Sequence, residues 1–135
     1  MQPEQINNNT AMCLADNVAR VVYAETCAKS LRVVEALCSM IFNQSKQNNV
    51  DVADIISDKE QFESLCENSQ HHNLLQIDSL SREFQMCLRV AVRMLHGNLS
   101  DMCNHATRFH RAEFLPEWAV ARGYIADIDG LLFYL

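Results

Sequence analysis

The hydrophobic positions in the first half of the chain recur three or four residues apart, which is the spacing of one buried helical face. This spacing predicts helices over residues 11–26 and 31–45, followed by a polar loop at 44–49 and a short helix at 52–56. Residues 1–10 are polar and indicate a flexible leader. The apolar stripes consist of Leu14, Val18, Val21 and Val22 in the first helix and of Val34, Leu37, Cys38 and Ile41 in the second.

The most strongly amphipathic segment of the chain covers residues 82–96, after an irregular and polar stretch at 61–73. Asp78 or Ser79 is expected to cap the start of this helix, and Gly97 is expected to end it because glycine adopts the left-handed conformation without strain. The predicted buried stripe is Phe84, Cys87, Leu88, Ala91 and Leu95.

The pattern changes in the last third of the chain, where residues 105–110 predict a short strand. Residues 123–128 and 131–135 flank the dipeptide Asp129-Gly130, which is typical of a two-residue hairpin turn. Helices first and a small hairpin last predict an α+β fold that is mainly helical. The expected organisation is the leader followed by a single domain over residues 11–135.

Composition and charge exclude several classes of fold and partner. The chain has 135 residues, 49% of them hydrophobic, and only three Gly and two Pro, so a turn-rich all-β fold is disfavoured. The net charge of −6 and the lack of a Lys/Arg run argue against nucleic-acid binding, and Arg82, Arg89 and Arg93 indicate a solvated helix face. No apolar stretch reaches the ~18 residues of a membrane span. No signal peptide is visible, which predicts a cytoplasmic protein, one exported by another route, or a cell-envelope protein whose signal has been removed.

The six cysteines leave two redox states open. They are widely spaced and lack a Cys-x-x-Cys motif, and their even number would permit three disulfides. Cys38 and Cys87 fall within apolar stripes, however, where a free thiol behaves as a small hydrophobic side chain. Reduced and buried thiols are therefore the favoured prediction.

Glu25 is the candidate catalytic residue that the periodicity indicates. It continues the stripe of Leu14, Val18 and Val21, so its carboxylate is predicted to be buried. Burial and the negative end of the helix dipole should both raise its pKa. A carboxyl group that retains its proton near neutral pH suits the general acid of a glycosidase. The alternative is a chance glutamate at a fraying helix end.

Five short segments, in order along the chain, resemble the SleB-type cell-wall hydrolases. Tyr23-Ala24-Glu25, with the helix after it, is similar to the family's "YAEARGE" and the apolar helix that follows. Gln61-Phe62-Glu63 resembles the family's "QFS", and Ala106-Thr107-Arg108-Phe109-His110 resembles "ATHYH". Pro116-Glu117-Trp118-Ala119 is similar to a proline-tryptophan segment of the family, and Phe133-Tyr134 is similar to the terminal "HxFY".

The resemblance implies a lysozyme-like fold and cleavage of peptidoglycan glycan strands between N-acetylmuramic acid and N-acetylglucosamine. The enzyme would be a lytic transglycosylase or muramidase, with Glu25 as its single acid/base and no cofactor or metal. Peptidoglycan would be the partner, and the oligomeric state stays undetermined. The residues implied to line the sugar groove are Tyr23, Gln61, Phe62, Thr107, His110, Trp118 and Tyr134. Trp118 could equally be a core aromatic.

Three departures from the family pattern support an alternative function. Lys29 replaces the second acidic residue of "YAEARGE", Arg108 replaces the first histidine of "ATHYH", and leucine stands where the histidine of "HxFY" is usual. The alternative is a catalytically impaired descendant of the fold that binds glycan or protein. A third hypothesis is a helical interaction module with no connection to the cell wall.

Two other kinds of site are weaker candidates. Zinc ligands could come from Cys103, His105 and His110 or from Cys66, His71 and His72, although neither set has a recognised ligand spacing. A Cys27–His110 nucleophile pair is conceivable.

Overall fold

The computed structural model describes residues 3–135, with side chains described from Cys13 onwards. The first helix begins at Pro3 rather than at the predicted residue 11, so it covers most of the predicted leader, residues 1–10, whose side chains are not described. The flexibility of the leader stays a prediction. The helices are α1 (Pro3–Thr26), α2 (Leu31–Asn48), α3 (Val52–Ile55) and α4 (Arg82–Leu95). The strands are β1 (Arg108–Arg111), β2 (Ala126–Ile128) and β3 (Leu131–Tyr134), and 3₁₀ turns cover Glu63–Leu65, His72–Gln76 and Glu117–Ala119. The predicted α+β class, mainly helical with a terminal hairpin, is confirmed.

Helix α2 is longer than predicted, and the expected loop at 44–49 is wrong. The helix continues to Asn48 and ends where Asn49 adopts a left-handed conformation, with φ 54°. The polar residues misled the prediction because Gln44 contacts a neighbouring segment of the chain, whereas residues 46–48 lie on the exposed face of the helix. The Gln44 side-chain amide, for example, donates to the carbonyl of Thr107 (2.9 Å). Ser30 caps the start of α2 by accepting the N–H of Val33.

Helix α4 starts and ends through specific backbone contacts. Ser81, rather than the predicted Asp78 or Ser79, caps it by accepting the N–H of Phe84 (3.1 Å). Gly97 follows the helix with φ +74°, as predicted. The buried stripe comprises Phe84, Cys87, Val90, Ala91 and Met94, whereas the predicted Leu88 and Leu95 are only partly buried at its edge.

The three strands form an antiparallel sheet in the order β1–β3–β2. Strand β1 begins at Arg108, later than the predicted residue 105, because Asn104 and His105 both have positive φ and form a turn. The hairpin turn is confirmed: Asp129 and Gly130 have φ of 47° and 88°, which is the left-handed pair that a type I′ turn requires.

One hydrophobic core connects the helices to the sheet. Helix α1 packs mainly against α4, and α2 lies between α4 and the sheet. The largest fully buried side chains are Val18, Val22, Val33, Val34, Leu37, Met40, Ile41, Phe62, Phe84, Val90, Met94 and Phe133. Among the described residues, no helix combines the length and the apolar character needed to cross a bilayer.

All six cysteines are free thiols in the structure. Cys38 and Cys87 are fully buried, as their place in the apolar stripes predicts. Burial raises the pKa of both thiols, that of Cys87 to about 12, so these groups stay protonated at neutral pH.

Candidate active site

Glu25 lies in the last turn of α1, and its side chain is only 1% exposed, so the predicted burial is confirmed. Both carboxylate oxygens have donors from distant parts of the chain. The backbone N–H of Ser64 donates to Oε2 (3.0 Å), and Nε of Arg111 donates to Oε1 (3.2 Å). An amide donor and a guanidinium both stabilise a carboxylate anion. Neither donor follows from the apolar periodicity of α1 or from the position of Glu25 at the helix end.

Arg111, at the end of β1, is the centre of a buried polar network. Its side chain is 8% exposed, and Nη2 donates to the carbonyl of Ala24 (2.9 Å). Nη1 lies 3.1 Å from Nε2 of His71, and Nε lies 3.6 Å from a carboxylate oxygen of Glu63. Arg111 therefore connects the end of α1 to the 63–71 segment. Arg111 was not predicted from the sequence, although it directly follows His110, the last residue of the segment that resembles "ATHYH".

Glu63 is a second carboxylate at the same place. Ser69 Oγ donates to Oε1 (2.6 Å), and Nδ1 of His71 lies 3.1 Å from Oε2. Partial burial raises the pKa of Glu63, but the hydrogen bonds from Ser69 and His71 and the charge of Arg111 outweigh it, so the pKa lies below its ordinary value. Glu63 stands third in the segment that resembles "QFS", where the family element has serine.

Glu25 and Glu63 both line one cleft of about 360 Å³, between the end of α1 and the segment after β1. A neighbouring groove of about 650 Å³ shares part of its wall. The first cleft is lined by Glu25, Glu60, Gln61, Glu63, His110, Arg111, Phe114, Leu115, Pro116 and Trp118. The groove is lined by Gln44, Gln47, Asn48, Asp58, Glu60, Gln61, Thr107, Arg108, Pro116, Trp118, Arg122 and Leu135.

The structure brings most of the predicted site residues together. Gln61 and Trp118 line both the cleft and the groove, Glu25 and His110 line the cleft, and Thr107 lines the groove. The Gln61 amide exchanges two hydrogen bonds with that of Gln44 (2.8 and 3.0 Å), which fixes its orientation. Trp118 is half-buried, and the guanidinium of Arg108 lies over its ring, 5.3 Å from the centroid.

Three predicted groove residues, Tyr23, Phe62 and Tyr134, line neither the cleft nor the groove. Tyr23 faces α4, close to Glu83 and Cys87, and burial raises the pKa of its hydroxyl. Phe62 is fully buried and packs on Phe109 with a centroid distance of 5.5 Å, so it belongs to the core.

His110 and Tyr134 form a buried pair beneath Trp118. Nδ1 of His110 lies 2.7 Å from the carbonyl of Arg111, and Nε2 lies 2.8 Å from the Tyr134 hydroxyl. Since a carbonyl can only accept, Nδ1 carries the proton, and Nε2 of a neutral ring accepts from the tyrosine. Trp118 contacts both rings edge-on, at centroid distances of 5.8 and 5.0 Å. The pair therefore supports the wall of the cleft.

We expect Tyr134→Phe to lower the free energy of unfolding by about 1 kcal/mol, because it leaves Nε2 of the buried His110 without its donor. Activity should fall less than tenfold, since the tryptophan keeps its aromatic support. Urea unfolding and a peptidoglycan turnover assay measure the two effects. A large loss of activity with unchanged stability would instead assign the hydroxyl to substrate binding.

The weaker candidate sites are not assembled. Within residues 13–135, no three His, Cys, Asp or Glu side chains are grouped to hold a metal ion. His105 is 85% exposed on its turn, whereas His110 is buried under Trp118. Cys27 is exposed, and both ring nitrogens of His110 contact other groups.

A family model described as a cell wall hydrolase matches residues 32–134. The chain belongs to the cell wall hydrolase family. The matched region contains Glu63, Arg111 and the cleft residues after them, whereas Glu25 and helix α1 precede it. Membership indicates a hydrolase that acts on peptidoglycan. Searches among curated proteins and among solved structures found no significant match.

Proposed function

We propose that this cell wall hydrolase is a SleB-type enzyme that cleaves peptidoglycan glycan strands between N-acetylmuramic acid and N-acetylglucosamine. The reaction would be of the lytic transglycosylase or muramidase type. The observation that carries the proposal is the position of Glu25, a buried carboxylate in the wall of a cleft that also contains Gln61 and Trp118. A carboxyl group at the wall of a groove is the acid that glycoside cleavage requires.

The groove residues suit a sugar chain. Trp118 offers an aromatic face to the apolar side of a pyranose ring, and Gln61 and Thr107 offer groups that can hydrogen-bond hydroxyl and acetamido substituents. The cleft and the groove share a wall, so a strand could extend from Thr107 past Trp118 to Glu25. The scissile bond would then lie at the cleft end of the strand.

In the proposed reaction, Glu25 gives a proton to the oxygen that links the two sugars, and the bond from that oxygen to C1 of the muramic acid breaks. C1 is then captured by water or by the sugar's own 6-hydroxyl. Glu25 must carry a proton at this step, and in the free protein both of its oxygens accept hydrogen bonds, from Arg111 and from the Ser64 amide.

The same contacts favour a second candidate function. The Glu25 side chain is 1% exposed, and both of its oxygens are occupied by protein donors. A carboxylate held in this way suits a domain that binds glycan without cleaving it. In that case the groove would retain the sugar-binding role, and the Glu25–Arg111 pair would be structural.

Incubation of the protein with purified peptidoglycan separates the two candidates. We expect soluble muropeptides to accumulate with time and with enzyme concentration, as measured by liquid chromatography and mass spectrometry. Heat-inactivated protein is the control. Binding to sacculi without any release of fragments would contradict the enzyme and support the glycan-binding domain.

A further inference from the structure

We infer that Glu63 is a second catalytic carboxylate, which activates water, so that the products end in a reducing sugar rather than an anhydro sugar. This inference rests on the proposed function, because it concerns the fate of the same sugar–sugar bond. It is carried by the position of two carboxylates, Glu25 and Glu63, in one cleft and on one arginine.

The two carboxylates differ in their solvent exposure. The Glu25 side chain is 1% exposed, whereas that of Glu63 is 34% exposed. An acid that must keep its proton benefits from burial, and a base that must contact water benefits from exposure. Glu63 is therefore the carboxylate that can contact water in the cleft, whereas Glu25 is buried and positioned by protein donors.

Glu63 is held in one orientation by three side chains. Ser69 Oγ, His71 Nδ1 and Arg111 Nε approach its two oxygens at 2.6, 3.1 and 3.6 Å. These donors also keep its pKa below the ordinary value, so the group is ionised at neutral pH. A carboxylate has about four lone-pair positions, and the Glu63 side chain is 34% exposed and lines the cleft, so water can contact it.

The network also fixes the proton on His71. Arg111 can only donate, so Nε2 of His71 accepts from Nη1 and Nδ1 donates to Glu63. A neutral His71 with its proton on Nδ1 satisfies both contacts. The ring therefore transmits the position of Arg111 to Glu63 and couples the two carboxylates.

The step that follows is a hydrolysis with balanced atoms. Glu25 protonates the bridging oxygen, and the bond between that oxygen and C1 of the muramic acid breaks. A water molecule beside Glu63 forms a new bond to C1 through its oxygen, and Glu63 takes the proton that the water loses. Exchange of protons with solvent then restores Glu25 to its acid form and Glu63 to the carboxylate.

The products of the wild-type protein test this step directly. In heavy-oxygen water, we expect the released muropeptides to carry a labelled hydroxyl at C1 of the muramic acid and to be reducible by borohydride. Anhydro ends without label would overturn the inference but leave the proposed function standing. If no fragments form at all, the proposed function fails and the inference falls with it.

Variants of Glu63 separate chemistry from positioning. We expect Glu63→Gln to lower the rate of reducing-end formation by about 100-fold or more, because the amide cannot accept the proton. Glu67→Gln is the matched control, since Glu67 is an exposed glutamate of the same segment outside the cleft, and its rate should equal that of the wild type.

Rescue of activity by a small carboxylate distinguishes a catalytic role of Glu63 from a purely structural one. We expect added formate to restore part of the activity of Glu63→Ala by occupying the vacated space and accepting the proton. A Glu63→Gln variant with wild-type rate would overturn the inference. So would a folded Glu63→Ala variant whose lost activity formate does not restore, since Glu63 would then act only by positioning Arg111.

Discussion

Replacement of Glu25 by glutamine should reduce the release of muropeptides by about 100- to 10,000-fold, which is the range that general acid–base catalysis contributes. Glutamine keeps the shape of the side chain and can accept the Ser64 N–H, but it has no proton to give to the bridging oxygen. Initial rates of fragment release from purified peptidoglycan measure the effect. The groove is unchanged, so binding to sacculi should persist.

The control for Glu25→Gln must separate lost chemistry from lost structure. The neutral amide leaves the buried Arg111 without its nearest anion, although Glu63 lies 3.6 Å away and compensates in part. Circular dichroism and the melting temperature therefore accompany every rate, and Glu67→Gln is the matched surface substitution. Equal rates for Glu25→Gln and the wild type would contradict both the acid role and the proposed function.

Arg111→Met should produce the largest loss of stability of any single change in the site, about 3–5 kcal/mol. The substitution leaves the carboxylate of Glu25, which is 1% exposed, without its cation, and it leaves the carbonyl of Ala24 without its donor. Methionine fills a similar volume, so the effect reports on charge more than on packing. Urea unfolding at neutral pH measures the change in the free energy of unfolding.

A double-mutant cycle assigns this loss to the ion pair. If the pair is responsible, Arg111→Met in the Glu25→Gln background should cost clearly less than in the wild type, because no buried anion is left. Arg89→Met, at an exposed position of α4, is the matched control and should change stability by no more than about 0.5 kcal/mol. Additive losses in the cycle would show that Arg111 stabilises the fold through contacts other than Glu25.

The effects of the Glu25 and Arg111 substitutions are coupled, because Arg111 both stabilises the fold and contacts the proposed acid, Glu25. A carboxylate bound by Arg111 and by the Ser64 amide has one fixed position in the cleft wall. The cost of this arrangement is that protein donors occupy both oxygens of Glu25 in the free protein. Variants of Arg111 should therefore change activity as well as stability.

The sequence by itself determined where α1, α2 and α4 lie along the chain and most of the residues that they bury. The stripes of α1 and α2 repeat every three or four residues, so they identify the core faces and the burial of Glu25 without any knowledge of partners. Asp129-Gly130 likewise determined the hairpin, because few dipeptides accept two positive φ angles in a row.

Local pattern misled the prediction where polar residues have distant partners. Residues 44–49 were expected to be a loop, yet Gln44 is part of helix α2 and hydrogen-bonds Gln61 and the carbonyl of Thr107. Phe62, expected in the sugar groove, is buried against Phe109 instead. In both cases, the residue type indicated a preference, and the contact that decides the outcome lies on another segment.

Only the tertiary structure decided what surrounds Glu25. Its two donors, Ser64 and Arg111, lie 39 and 86 positions away along the chain, beyond any periodicity that a helix or strand imposes. Glu63 also lies beside Arg111, and this contact likewise joins segments that are distant along the chain. A repeating pattern of apolar residues predicts that a side chain is buried. The groups that this side chain contacts depend on how distant segments pack, and these groups determine its charge and its chemistry.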